Sequence, residues 1–163
     1  MRFLIRYSTE NDIDTIAKMN IAMALETENL SLNIQSIHQG VTAVMNDSSK
    51  GFYIVASNGD EIVGSLMITF EWSDWRNANF WWIQSVYVLP EMRSKGVFKS
   101  LYQYVVDLGK SNKIAGIRLY AESQNDNAHQ VYKKLGMKAG KYIVFEDNLV
   151  VVKIKLNIKL ESF

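Results

Sequence analysis

The chain has 163 residues, 48% of them hydrophobic and 21% charged, a formal net charge of +1 and no cysteine. This is the size of one domain, read here as a single unit over residues 1–163, and the composition sets aside the disordered, collagen-like and membrane classes. The small net charge argues against a general nucleic-acid binder, and the missing cysteines remove disulfides, thiolate metal sites and a catalytic thiol.

His38 and His129 lie far apart with no Cys or carboxylate pattern around either, so no metal is expected. The N-terminal run meets Arg2 and Arg6 too soon for a signal sequence, and no apolar stretch reaches the length of a membrane span. A cytoplasmic location is the expectation.

Residues 2 to 6 read as a first strand, followed at Thr9 and Asp12 by a capping-box helix start. Ile13, Ile16, Ala17, Asn20 and Ala24 recur at helical spacing and predict a helix ending near Glu28. Ile34, Ile37, Val41 and Val44 predict a second from about Asn33 to Met45, with Glu26 and Glu28 assigned to the loop between the two. The period then changes. Phe52 to Ala56 and Ile62 to Phe70 flank an Asn58-Gly59 hairpin signal, and a third strand runs from Phe80 to Val88 and stops at Pro90. A helix from near Ser94 to about Gly109, a short strand Ile114 to Ala121, and a helix Asp126 to Leu135 capped by Gly136 come next. Two β segments are expected to finish the chain, the last at Leu149 to Leu156. The order β-α-α-β-β-β-α-β-α-β-β predicts an α/β fold with a mixed sheet.

Between the strand ending at Val88 and the helix after it lies Arg93-Ser94-Lys95-Gly96-Val97-Phe98-Lys99. The first amides of a helix lack intrahelical partners and carry partial positive charge, so a glycine-containing turn at that point can wrap a diphosphate without a metal. Arg93, Lys95 and Lys99 are expected to add charge around it. The segment is neither a Walker A loop nor G-x-G-x-x-G, so neither ATP nor NAD is indicated.

Here the sequence resembles the GNAT superfamily of acyl-CoA-dependent N-acetyltransferases, whose signature at this junction is R/Q-x-x-G-x-G/A. Arg93 and Gly96 match it, and Phe98 stands where Gly or Ala is usual. A second motif, N-x-x-A-x-x-x-Y-x-x-x-G, is matched by Asn125, Ala128, Tyr132 and Gly136, with Met137 in place of the usual Phe. The order of elements is similar to the family's along essentially the whole chain.

The resemblance implies transfer of the acetyl group of acetyl-CoA to a primary amine of a small molecule or peptide by direct attack, with no metal. It implies that the amide of Val86 polarises the thioester carbonyl and that Val88 pairs with the pantetheine arm. The amides of Ser94, Lys95, Gly96, Val97, Phe98 and Lys99 would hold the pyrophosphate. Tyr132 is the implied general acid, since a phenol of pKa about 10 can protonate a thiolate of pKa about 8 to 9 held beside it. Asn125 is read either as a contact to the pantetheine arm or as a helix cap.

The position where some members carry a catalytic Glu is Trp82, so no base carries over. Glu71, Asp74 and Glu122 are candidates, and Gln84 could position a water. The rings Trp72, Trp75, Phe80, Trp81 and Trp82, with Glu26, Glu28, Glu71 and Asp74, are expected either to form an apolar, acid-rimmed pocket for a cationic amine or to serve a homodimer interface. An acyl-CoA-binding or sensing domain without turnover is the alternative, motivated by the missing glutamate.

Overall fold

The computed structural model describes residues 2–147. The chain divides into two compact units, Met1–Leu119 and Tyr120–Phe163.

The first unit holds a five-stranded sheet in chain order: β1 (Leu4–Tyr7), β2 (Phe52–Asn58), β3 (Glu61–Ser73), β4 (Ala78–Val88) and β5 (Gly116–Leu119). The first four pair antiparallel and β5 joins β4 in parallel. Three helices accompany the sheet: α1 (Ile13–Glu28), α2 (Ile34–Asn46) and α3 (Val97–Ser111). Strand alternation splits the apolar residues between two layers. Ile54, Leu66, Ile68, Trp81 and Ile83 pack with Val97, Leu101 and Val105 of α3, while Tyr53 and Val55 pack with Ile16, Ala17 and Val41 of α1 and α2. Leu101 and Val105 are fully buried, each worth roughly 1.5–3 kcal/mol relative to exposure.

Several boundaries differ from expectation for local reasons. The helix α1 continues to Glu28 and ends at Asn29 in the left-handed conformation, so Glu26 and Glu28 lie on its last turn and not in a loop. The β2–β3 hairpin closes on Gly59 and Asp60, with Gly59 at φ +63, one residue later than an Asn-Gly turn would place it. Because Ser94 and Gly96 take positive φ, the chain cannot be helical there, and α3 begins at Val97 instead of near Ser94. The strand β5 is shorter than predicted, covering Gly116–Leu119.

The second unit contains α4 (Asp126–Lys134). Asn125 caps it by accepting from the Ala128 amide at 3.0 Å, and Gly136 at φ +87 closes the other end. Residues 137–147 hold no strand, and the predicted Leu149 to Leu156 segment lies outside the described residues.

Candidate active site

The predicted phosphate turn follows β4 through a 3-10 turn, Pro90–Met92. Ser94 at φ +61 and Gly96 at φ +89 flank Lys95, which lies outside the positive-φ region. Alternation of hand at successive residues turns backbone N–H groups toward one concave side, the geometry of an anion nest. The helix α3 then starts at Gly96 with no side-chain cap, and Ser100 is the first amide to bond back, to the Gly96 carbonyl at 3.0 Å. The amides of Val97, Phe98 and Lys99 therefore belong to the first turn of the helix, ahead of the first residue that bonds back along it.

A Cβ at Gly96 would meet nothing within 4 Å, so the backbone conformation and not crowding calls for glycine. Phe98 lies 6.2 Å from the Tyr102 ring one helical turn on, along the flank of α3. The residues fit a diphosphate held by backbone.

Arg93 behaves differently from expectation. Its Nε donates to the Val88 carbonyl at 3.0 Å, its Nη2 donates to Glu26 at 2.6 Å, and its guanidinium lies 5.5 Å from the Tyr87 ring. Tyr87 also donates to Glu26, at 2.6 Å. The Glu26 carboxyl is accordingly held below its ordinary range, first by Tyr87 and then by Arg93, and burial with Glu26 beside it pushes the Tyr87 phenol up. Lys95 and Lys99 are the other exposed cations of the turn. The arginine joins the end of α1 to the end of β4, a tie between residues 67 apart that nothing local announces.

Upstream on β4 the ladder with β3 slips by one residue: Met67 faces Gln84 but Ser65 faces Tyr87, so Ser85 and Val86 together oppose Leu66. Ser85 takes φ +48 at this bulge. A bulge leaves a backbone group outside the ladder and re-aims it. On the other side of β4 the pairing with β5 covers only Phe80 to Ile83. From Gln84 to Val88, β4 has no second neighbour among the described strands, and the bulge falls on that open edge.

The chain was compared with known proteins. The model of the acetyltransferase (GNAT) family matches residues 21–137. The chain belongs to the GNAT family of acetyltransferases. No curated protein matches it. Among solved structures it is similar to a possible acetyltransferase from Clostridium difficile 630, at 42% identity, covering 92% of this chain and 99% of the other, with a TM-score of 0.85. A transcriptional regulator from Bacillus halodurans C-125 shares the fold at 24% identity, 90% and 100% coverage and a TM-score of 0.78. So does AAC(6')-Iy in complex with the bisubstrate analog CoA-S-monomethyl-acetylneamine, at 13% identity, 91% and 99% coverage and a TM-score of 0.73.

For this GNAT chain the expected acceptor residues divide between environments. Trp81 is buried on the α3 face with Phe52 and Phe70, while Trp72 and Trp75 are 60% and 89% exposed. The rings do not gather into one wall. Trp82 and Gln84 are half-buried on the opposite face of β4, where Gln84 donates to Thr69 at 2.6 Å and the Trp82 indole donates to Glu71 at 2.5 Å. The second Glu71 oxygen accepts from Arg118 at 2.6 Å. Asp74 accepts from the Trp75 amide in the β3–β4 turn, and Glu28 is exposed.

In the second unit, Glu122 and Asn125 are exposed and Tyr132 is half-buried, with burial raising its phenol above the ordinary 10. Arg118 and Tyr87 were not singled out from sequence, since their partners come from other elements. Among the described residues no group of three His, Asp or Glu side chains could hold a metal, and no helix is long and apolar enough to cross a membrane.

Proposed function

We propose that the chain is an acetyl-CoA-dependent N-acetyltransferase acting on a primary amine of a small molecule or peptide. The single observation that carries this is the turn at 93–99, where alternating positive φ at Ser94 and Gly96 leads into an uncapped helix start. Acetyl-CoA supplies an activated acetyl thioester, for which the amides of Ser94 to Lys99 serve as the pyrophosphate cradle. Val86, at the β4 bulge, presents its amide as the donor to the thioester carbonyl, and Val88 borders the pantetheine arm on the open edge of the strand.

Tyr132 donates the proton that the leaving thiolate needs; its raised pKa keeps it protonated at neutral pH. Asn125 holds the start of the helix that carries Tyr132. Of the three carboxylates considered as base, Glu71 has both oxygens engaged by Trp82 and Arg118, and Asp74 is held by the Trp75 amide. Glu122 is the remaining candidate to accept the amine proton, directly or through water. The substrate-side residues Glu71, Asp74, Trp75, Trp82 and Gln84 line the acceptor side in this reading, with Glu26 and Glu28 at the end of α1.

The test is acetyl-CoA turnover over a panel of polyamines, aminoglycosides, amino acids and peptides, alongside thermal melting with CoA. Turnover with at least one amine supports the reading. A rise in melting temperature with CoA and no turnover across the panel would instead support an acyl-CoA-binding module, and no rise would remove the cofactor assignment.

A further inference from the structure

On the sheet face that carries Phe80, Trp82 and Gln84, the expected acidic rim is internally neutralised by an arginine. Arg118 lies in β5 opposite Trp82. Its guanidinium centre is 3.7 Å from the Phe80 ring centroid and 5.8 Å from that of Trp82, and it donates to Glu71 at 2.6 Å. Glu71 accepts from Arg118 and Trp82 with separate oxygens, so it fixes both groups in place. The Arg76 guanidinium also stands over Phe80, at 5.2 Å. Two guanidinium groups on one ring face a single paired carboxylate, Glu71, while Asp74 is bonded to a backbone amide in the turn. The position expected to receive a cationic substrate is thus held by the protein's own cation.

An arginine has five N–H donors in a planar fork suited to a carboxylate, and Arg118 spends one on Glu71 while its side chain remains 37% exposed. The aromatic floor and the Glu71 bond reduce the freedom it would lose on binding an anion. Its place along the strand sets a length. The guanidinium stands at the level of Phe80 and its register partner Glu71, and Phe80 precedes Val86 by six residues, a span of roughly 20 Å at about 3.3 Å per residue. With the reacting amine about 3 Å from the thioester carbon, an anionic group at Arg118 lies on the order of 17 Å from that amine. The amine and carboxylate of an α-amino acid are too close together to reach both ends. An extended chain of about five residues, at up to 3.6 Å each, matches the span. Between the two ends lie Gln84 and its partner Thr69, polar groups at the level of a peptide backbone.

We propose that Arg118, oriented by Glu71 and Phe80, binds a carboxylate of the acceptor, and that the acceptor is a molecule carrying an amine and a carboxylate on the order of 17 Å apart, of the kind an extended pentapeptide presents. This rests on the reading of the chain as an amine acetyltransferase with the thioester at Val86. Arg118 is a specificity residue here.

The experiment compares pentaglycine, pentaglycine amide, 12-aminododecanoate, glycine and glycinamide with the full chain and CoA, by isothermal titration and by steady-state turnover. Pentaglycine is expected to bind at least about 10-fold more tightly than its amide, the worth of a charge-assisted hydrogen bond, with glycine showing no such advantage over glycinamide. Arg118→Gln is expected to bring the acid-to-amide ratio close to one, seen in KM with a smaller change in kcat. Equal binding of acid and amide by the unaltered chain, or a ratio unmoved in Arg118→Gln, overturns the proposal. Preference for 12-aminododecanoate equal to that for pentaglycine supports the carboxylate site and assigns the recognition to span and not to peptide groups. Acid preference in titration without any acetylation upholds the carboxylate site and removes the amine-transfer reading. Acetylation of other amines without acid preference does the reverse.

Discussion

Glu26, on the last turn of α1, accepts a 2.6 Å hydrogen bond from Arg93 at the start of the proposed phosphate turn. The contact links the two segments that flank the end of β4, with Tyr87 donating to the same carboxylate. Both ends of the Arg93 pair are partly exposed, so its worth is about 0.5–1 kcal/mol and not that of a buried pair. Glu26→Ala is expected to lower the melting temperature by roughly 2–4 °C and to weaken CoA binding a few-fold. Differential scanning calorimetry and CoA titration measure both; unchanged CoA affinity would show that the turn keeps its shape without this tie.

Gly96 takes φ +89, a region costly for any residue with a Cβ, although the space around it is open. Replacing it by alanine adds strain of about 1–3 kcal/mol or moves the turn to relieve it. Gly96→Ala should weaken CoA binding by about 10-fold or more while the far-ultraviolet circular dichroism stays the same. Wild-type affinity in that variant would mean that the amides are not arranged by the left-handed residue.

The Tyr132 phenol is raised by burial, so it stays protonated up to and beyond its ordinary pKa of about 10. If it is the general acid, the pH profile of kcat has no tyrosine-linked decline below about pH 10. Tyr132→Phe is expected to lower kcat by about 100-fold or more, with KM for acetyl-CoA little altered. A variant that retains kcat would remove Tyr132 from the chemistry.

Asp12 is buried and receives both Arg6 Nη atoms, at 2.6 and 3.0 Å, together with the Thr9 amide at 2.7 Å. Its carboxyl is held below the ordinary value, first by the hydrogen bond from Arg6, with burial opposing. The stability from this pair is present above the unfolded pKa of about 3.9 and is lost as pH falls through the lower folded value. Asp12→Asn should cost about 2 kcal/mol at neutral pH, or roughly 4–8 °C, and flatten the fall of melting temperature below pH 4. An acid limb equally steep in the variant would place the acid sensitivity elsewhere.

The alternation of Trp81 and Trp82 shows what is local and what is not. A strand from Phe80 to Val88 must put the two indoles on opposite faces, and that much is legible in the period. Which face becomes core depends on α3 packing against Trp81, and it is Arg118, 47 residues from Glu71, that completes the other face. The bulge at Ser85 and Val86 carries no glycine or proline, so nothing in the sequence marks it, and it exists only through the register with Leu66. The Thr9 capping box, by contrast, is written within four residues and forms as read.

By itself the sequence determined the elements as far as α4, their order, the turn at Arg93 to Lys99 and the family, because capping, periodicity and helix-start chemistry act over a few residues; of the two β segments expected after α4, residues 137–147 hold no strand and the other lies outside the described residues. Tertiary structure alone decided where the charges point. Arg93 bonds Glu26 instead of surrounding a phosphate, and Arg118 bonds Glu71 where an acidic rim was expected. Long side chains pair with whatever the sheet register and helix packing bring within reach, and that proximity has no local signature in the chain.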